Sequence, residues 1–358
     1  MIRLDRISMS ARCMALAAVF SIGTTHEASA AGQGRYLQVN LTSNVHGMAQ
    51  HTDRNLVNGW GLAFFTNSPF WVSDNGTGLS TIYDGGGVPQ GLVVSVPPAP
   101  EQPGGTLGSP TGMVANPSTR WVVSKNGKSG PAAFIFDTGD GTISGWNPGV
   151  DPRHAIIAVD NFKAHASYTG LEIVTDNNGP RLYAADSANN RIDVFGGNFQ
   201  PLFSFTDPNV PKGYSTYAIH LIQGRLFVTF AGGGGGVVDI FDTGGHLMRT
   251  FASNGPGGHL VSPWGIALAP HDFGKFSNAL LIGNEDDGHI SAFNCMTGAF
   301  LGRFVDPQGN AITIPGLWAL QFGADNPANG KKDELFFTAG PNGYSDGLFG
   351  KIVEQDGH

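Results

Sequence analysis

The sequence is poor in charge. Only 13% of its 358 residues are Asp, Glu, Lys or Arg, against roughly 25% in an average globular protein. It holds just six Glu and eight Lys, the residues that normally cover helix surfaces, which excludes a mainly helical fold. Basic clusters are missing as well. The longest basic run, Lys331-Lys332, is followed at once by Asp333-Glu334, and the formal charge is −8. Phosphate backbones and anionic membrane surfaces need positive patches, so no nucleic-acid partner is expected. Cysteine is confined to Cys13 and Cys295. Against these shortages stand 53 Gly, 22 Pro, 24 Phe and a 41% hydrophobic fraction. Disorder is excluded by the aromatics and low charge, and collagen by the lack of a three-residue Gly period. A large, turn-rich, all-β protein remains.

The N-terminus reads as an address. Arg3, Arg6 and Arg12 precede an apolar stretch over residues 13–22, and Ala28-Ser29-Ala30 has the small-x-small cleavage pattern. This is the pattern of a secretory signal peptide over residues 1–30, too short in its apolar part to span a bilayer. The expected product is residues 31–358, exported to the periplasm or the extracellular space, with no transmembrane span. Cleavage would leave Cys295 alone, so no intramolecular disulfide can form and packing must supply the stability. The alternating segment 289–295 around it reads as a strand carrying a buried, inert thiol.

One small-residue motif recurs six times: Trp60-Gly61-Leu62-Ala63, Thr111-Gly112-Met113-Val114, Thr169-Gly170-Leu171-Glu172, Tyr217-Ala218-Ile219-His220, Trp264-Gly265-Ile266-Ala267 and Trp318-Ala319-Leu320-Gln321. A second apolar run follows each copy, at 70–74, 121–125, 182–186, 226–230, 280–284 and 335–339. Third runs follow, such as Phe134-Ile135-Phe136-Asp137 in the second copy, and then a turn and a fourth run. Six meanders of four strands, each about 50 residues long, predict a six-bladed β-propeller forming a single domain over 31–358. The last unit lacks a fourth strand, and residues 36–41 would supply it, closing the ring and removing sheet edges. The Gly or other small residue heading each first strand fits a crowded axis, where neighbouring backbones approach closely.

The segment Arg181-Leu182-Tyr183-Ala184-Ala185-Asp186-Ser187-Ala188-Asn189-Asn190-Arg191-Ile192-Asp193-Val194-Phe195 resembles an NHL repeat, and the six units together resemble NHL-type propellers. More narrowly, residues 273–284, 316–323, 335–340 and 347–350 make the chain similar to a bacterial family of secreted propellers known as conserved hypothetical proteins. Glu285-Asp286 departs from that family's aromatic-Gly pair. The family implies no activity; NHL-type propellers more broadly imply metal-dependent lactonases and lyases.

Aligning the first strands places Ala63, Val114, Glu172, His220, Ala267 and Gln321 at one height. Glu172 and His220 then sit on adjacent innermost strands, where a carboxylate beside an imidazole raises the His pKa or shares its proton for acid-base work. The same two residues are candidate ligands of a channel Ca²⁺, Mg²⁺ or Zn²⁺, with Asp74 or Asp186 completing the set. Equally they can form a polar, wet filling of the channel. Asp74, Lys125, Asp186 and Asn284 mark a second ring at the ends of the second strands, with turn roles as the competing reading. Residues 284–288 and 137–141 are acidic enough for Ca²⁺ but match no complete calcium loop. Trp60, Trp264 and Trp318 share one strand-start position; they pack blades together or, with Gln321, offer a platform for a ligand. Two functions stay open: a monomeric exported propeller binding a small molecule, glycan or protein, or a metal-dependent hydrolase or lyase using Glu172 and His220.

Overall fold

In the computed structural model, which describes residues 35–177 and 179–355, the repeat becomes six antiparallel sheets around one axis. The leader 1–30 lies outside the described residues. Six innermost strands neighbour one another in ring order: Gly59–Ala63, Pro110–Ala115, Tyr168–Asp176, Ser215–Ile222, Pro263–Leu268 and Leu317–Phe322. Each carries its blade outward through three further strands, and blade 6 adds the two-residue His51–Thr52 parallel to its outermost strand. The expected six-bladed, four-stranded propeller is the fold. Two short 3-10 turns, Phe162–Ala164 and Gly274–Phe276, are the only helices among the described residues, and none is long and apolar enough to cross a membrane.

The ring closes as the sequence predicts. Arg35–Ser43 pairs antiparallel with Leu348–Gln355 as the fourth strand of blade 6, with one bulge between Asn40 and Thr42. Tyr36 locks this closure. Its ring is fully buried among Phe273, Phe276 and Phe304, and its hydroxyl donates to the Phe273 carbonyl at 3.0 Å while accepting the Phe276 N–H.

Burial follows the blade interfaces. Among the described residues the apolar core falls into six clusters, one between each pair of neighbouring blades. Inner strands must approach closely for those clusters to form, and Gly61 shows how closely. A Cβ there would lie 2.6 Å from the Thr111 carbonyl oxygen and 2.9 Å from the Met113 nitrogen, so only glycine fits.

Blade 2 departs from the expected strand assignment. Its second strand is Phe134–Thr138, followed by Thr142–Trp146 and Ile156–Asp160. Val122–Lys125 instead folds back on Lys128–Pro131 as a separate hairpin. Consecutive left-handed residues Asn126 and Gly127, at φ 52° and 77°, make the two-residue hairpin turn that captures the segment. Lys125 therefore sits at an exposed hairpin tip, paired with Asp151 at 2.7 Å, and belongs to no ring around the channel. Cys295 also differs from expectation. It falls just past the strand Ile290–Asn294, partly exposed, against the cluster between blades 4 and 5.

Candidate functional site

A cavity of about 240 Å³ occupies the axis, and all six blades line it. From five blades its wall is the second to fourth positions of the recurring motif, with Phe64, Ala115 and Ile173 just beyond, and from blade 5 Trp264 reaches into it from the first position. Most of that wall is apolar or small: Leu62, Val114, Leu171, Ile219 and Leu320 are typical. The polar side chains on it, apart from the Trp264 indole, are Glu172, His220 and Gln321. These are the three exceptions to the small-residue pattern that the alignment of first strands singles out.

The two titratable groups share the cavity but do not pair with each other. Glu172 Oε1 accepts from the Ile173 N–H and Oε2 from the Leu221 N–H, each at 2.8 Å. Burial pushes its carboxyl up from 4.5 to about 7, against the pull of those two N–H groups. His220 Nε2 lies 2.8 Å from the Trp264 carbonyl oxygen, to which it must donate. Burial lowers His220 to about 4, and this hydrogen bond only partly opposes it. The expectation of a raised His pKa and a shared proton fails: burial dominates His220, and the two side chains bind backbone instead of each other, Glu172 on its own strand and blade 4 and His220 on blade 5. At neutral pH burial keeps the imidazole uncharged and draws the carboxyl towards its protonated form.

The strand-start tryptophans cluster at one end of the channel, with Trp264 as the cavity's floor. Trp60 and Trp318 stack at 3.5 Å between centroids, Trp264 meets both edge-on at 6.2 and 6.0 Å, and Tyr217 adds a fourth ring against Trp318. Blades 2 and 3 carry Thr111 and Thr169 at this level, and each hydroxyl binds a backbone carbonyl of the next blade. The space they leave is filled by Trp264, whose Nε1 crosses to the Thr169 carbonyl at 2.8 Å. The channel is therefore closed at one end. Trp60 and Trp318 present their faces mainly to each other; only Trp264 lines the cavity.

The donor set does not fit a channel metal. Only Glu172 and His220 of the expected ligands reach the cavity, and Asp74 and Asp186 are fully buried away from its wall. Asp186 accepts from the Ser167 and Asn189 backbone N–H groups and from the Asn189 side chain, a turn role. Burial holds Asp74 well above the usual carboxylate range. Among the described residues no three His, Cys, Asp or Glu side chains gather as a ligand group. The acidic loop 284–288 disperses its carboxylates: Glu285 takes the Tyr217 and Tyr344 hydroxyls, Asp286 takes Ser262, and Asp287 pairs with His289 and Arg303. Residues 137–141 are a strand-connecting turn in which Asp140 accepts from Thr138 and the Ala99 N–H.

From the sequence Asp137 reads only as part of the acidic turn 137–141, not as a buried group of its own. It stands near the end of the true second strand of blade 2, fully buried, with Oδ1 2.8 Å from the Thr111 hydroxyl, whose one hydrogen it shares with the Tyr168 carbonyl. Burial raises it to about 7. The available signal was its place after Phe134-Ile135-Phe136, matching Asp74 and Asp186 at the ends of their own second strands.

No family model matches the chain. Two proteins of Acanthamoeba polyphaga mimivirus, "Uncharacterized protein R648" and "Uncharacterized protein L690", are each 30% identical to it over 336 residues. These alignments span 88% of this chain and 79% and 85% of the viral proteins. Among solved structures, the PQQ-bound aldose sugar dehydrogenase of Streptomyces coelicolor superposes with a TM-score of 0.55 at 14% identity, covering 90% of this chain and 99% of that one. A gluconolactonase from Xanthomonas campestris gives 0.52 at 14% identity, covering 92% and 94%. Virginiamycin B lyase from Staphylococcus aureus gives 0.50 at 15%, covering 90% and 88%. At such identities the likeness is one of fold.

Proposed function

The chain belongs to the family of the mimivirus proteins R648 and L690, and from that premise we propose that it binds a small molecule in its closed channel. The observation that carries this reading is the cavity itself: an apolar wall from six blades with three polar side chains converging on it. Its volume of about 240 Å³ falls below the roughly 300–1,000 Å³ of pockets for drug-sized ligands. It would hold about eight waters at ~30 Å³ each. The ligand is therefore a small metabolite rather than a glycan chain or a protein segment. Export by the leader 1–30, a monomeric state and NHL-type blades, carried by residues 181–195, belong to the same reading.

An enzymatic reading has one specific observation in its favour. Groups near neutrality and below it, Glu172 and His220, face one cavity, the arrangement that separates an acid from a base. The gluconolactonase and the lyase among the fold neighbours agree in class, but a channel metal has no adequate ligand set here.

A thermal-shift screen of small polar compounds tests the binding reading. A ligand at about 100 times its Kd stabilises by about 2.7 kcal/mol, which for a domain this size raises Tm by about 4 °C. Ala63→Leu and Val114→Phe each fill the cavity from a different blade. Hits that shift the parent and neither variant support the channel; equal shifts in both folded variants overturn it.

A further inference from the structure

We propose that the channel selects a small protonated amine, bound by the Glu172 carboxylate and by Nδ1 of His220. This deepens the binding reading and rests on it. The argument is an inventory of donors and acceptors. A carbonyl oxygen only accepts, so the contact between His220 Nε2 and the Trp264 carbonyl places the imidazole hydrogen on Nε2. Nδ1 is then a bare acceptor, and no group among the described residues hydrogen-bonds it. Each Glu172 oxygen accepts one backbone N–H, from Ile173 or Leu221, and each keeps a further lone pair. The polar wall formed by these two residues is thus acceptor-rich and donor-poor.

An ammonium group has the opposite inventory: three donors, no acceptor and one positive charge. A carboxylate ligand would meet lone pairs on both titratable residues and find donors only on the Gln321 amide. The two N–H groups on Glu172 also fix the carboxylate's orientation before a ligand arrives, so little ordering is left to the moment of binding. Beside the polar groups, Leu62, Val114, Leu171 and Leu320 offer an apolar sleeve for a short alkyl chain. The protein's net charge of −8 favours the approach of cations. Burial that drives Glu172 towards its neutral form is relieved by a cation at contact distance.

The test is isothermal titration calorimetry at pH 8 with three probes sharing one tail: n-butylammonium, n-butanol and n-butyrate. The amine should bind at least about tenfold more tightly than the alcohol, as expected for charge-assisted hydrogen bonds, and butyrate should give no heat. Glu172→Gln should weaken the amine about tenfold or more, and Ala63→Leu should abolish its binding, each with an unchanged circular dichroism spectrum. Butanol or butyrate matching the amine, or Glu172→Gln leaving amine affinity intact, overturns the amine proposal while the channel remains a binding site. Absence of binding by all three probes, with other compounds still binding the parent in the thermal-shift screen, overturns it too. If no compound of any class binds, both readings fall.

Discussion

Replacing Glu172 by Gln tests the electrostatics of the channel through stability alone. Glu172 is raised from 4.5 to about 7, chiefly by burial. In the folded protein it therefore keeps its proton over a range where the unfolded chain has lost its own. Below about pH 4.5 both states are protonated, and the group is neutral in its effect. As pH rises from 4.5 towards 7 the unfolded state alone ionises, and folding stability is progressively lost. The loss levels off above about pH 7, where both states are charged. At about 1.4 kcal/mol per pH unit, the full loss is about 3 kcal/mol, an upper bound because the channel admits solvent. Gln at this position does not titrate. The stability of Glu172→Gln relative to the parent should therefore grow by about 2 kcal/mol between pH 5 and pH 8. For a domain of this size that is about 3 °C in the difference between melting temperatures. Calorimetric scans of both proteins across the range measure it. A difference flat within about 1 °C would refute the reasoning, and one that shrinks with pH would show that folding stabilises the carboxylate instead.

Two further outcomes follow from the ring. Gly61→Ala puts a Cβ 2.6 Å from the Thr111 carbonyl oxygen and against the Met113 nitrogen, both immobile backbone, so we expect a loss of about 1–3 kcal/mol by denaturant titration. A loss below about 0.5 kcal/mol would mean that the blades are free to separate at the axis. Tyr36→Phe deletes the hydroxyl that serves both the Phe273 carbonyl and the Phe276 N–H, and should cost about 1–3 kcal/mol while keeping the ring packing. An unchanged midpoint in urea would show that the N-terminal strand is not bolted to blade 5 as described.

Blade number, ring closure and the polar exceptions at the axis were all legible in the chain. A repeat of about 50 residues is a local pattern copied six times, and a strand left over at one end has one place to go. The glycines of the first strands were legible too, since steric exclusion at a close approach depends on the residue itself. Blade 2 was misread because residues 121–125 have the composition of a strand; the Asn126-Gly127 turn, though visible, does not by itself reveal which partner the segment takes. The direction of the His220 shift was also hidden. Equal height on adjacent strands suggested contact with Glu172, yet Glu172 reaches Leu221 and His220 reaches Trp264.

Sequence alone thus determined the all-β propeller, its six blades, the closing role of residues 36–41 and the short set Glu172, His220 and Gln321. Periodicity and side-chain size carry that information, and both are properties of the chain. Only the tertiary structure decided that three tryptophans and a tyrosine meet to close one end of the channel, that Asp137 is buried beside it, and that Asp74 and Asp186 stand away from it. Those outcomes depend on where side chains from different blades reach across the axis. Burial and hydrogen bonding across blades set the charge of Glu172 and His220, and neither is encoded at the residue that bears it.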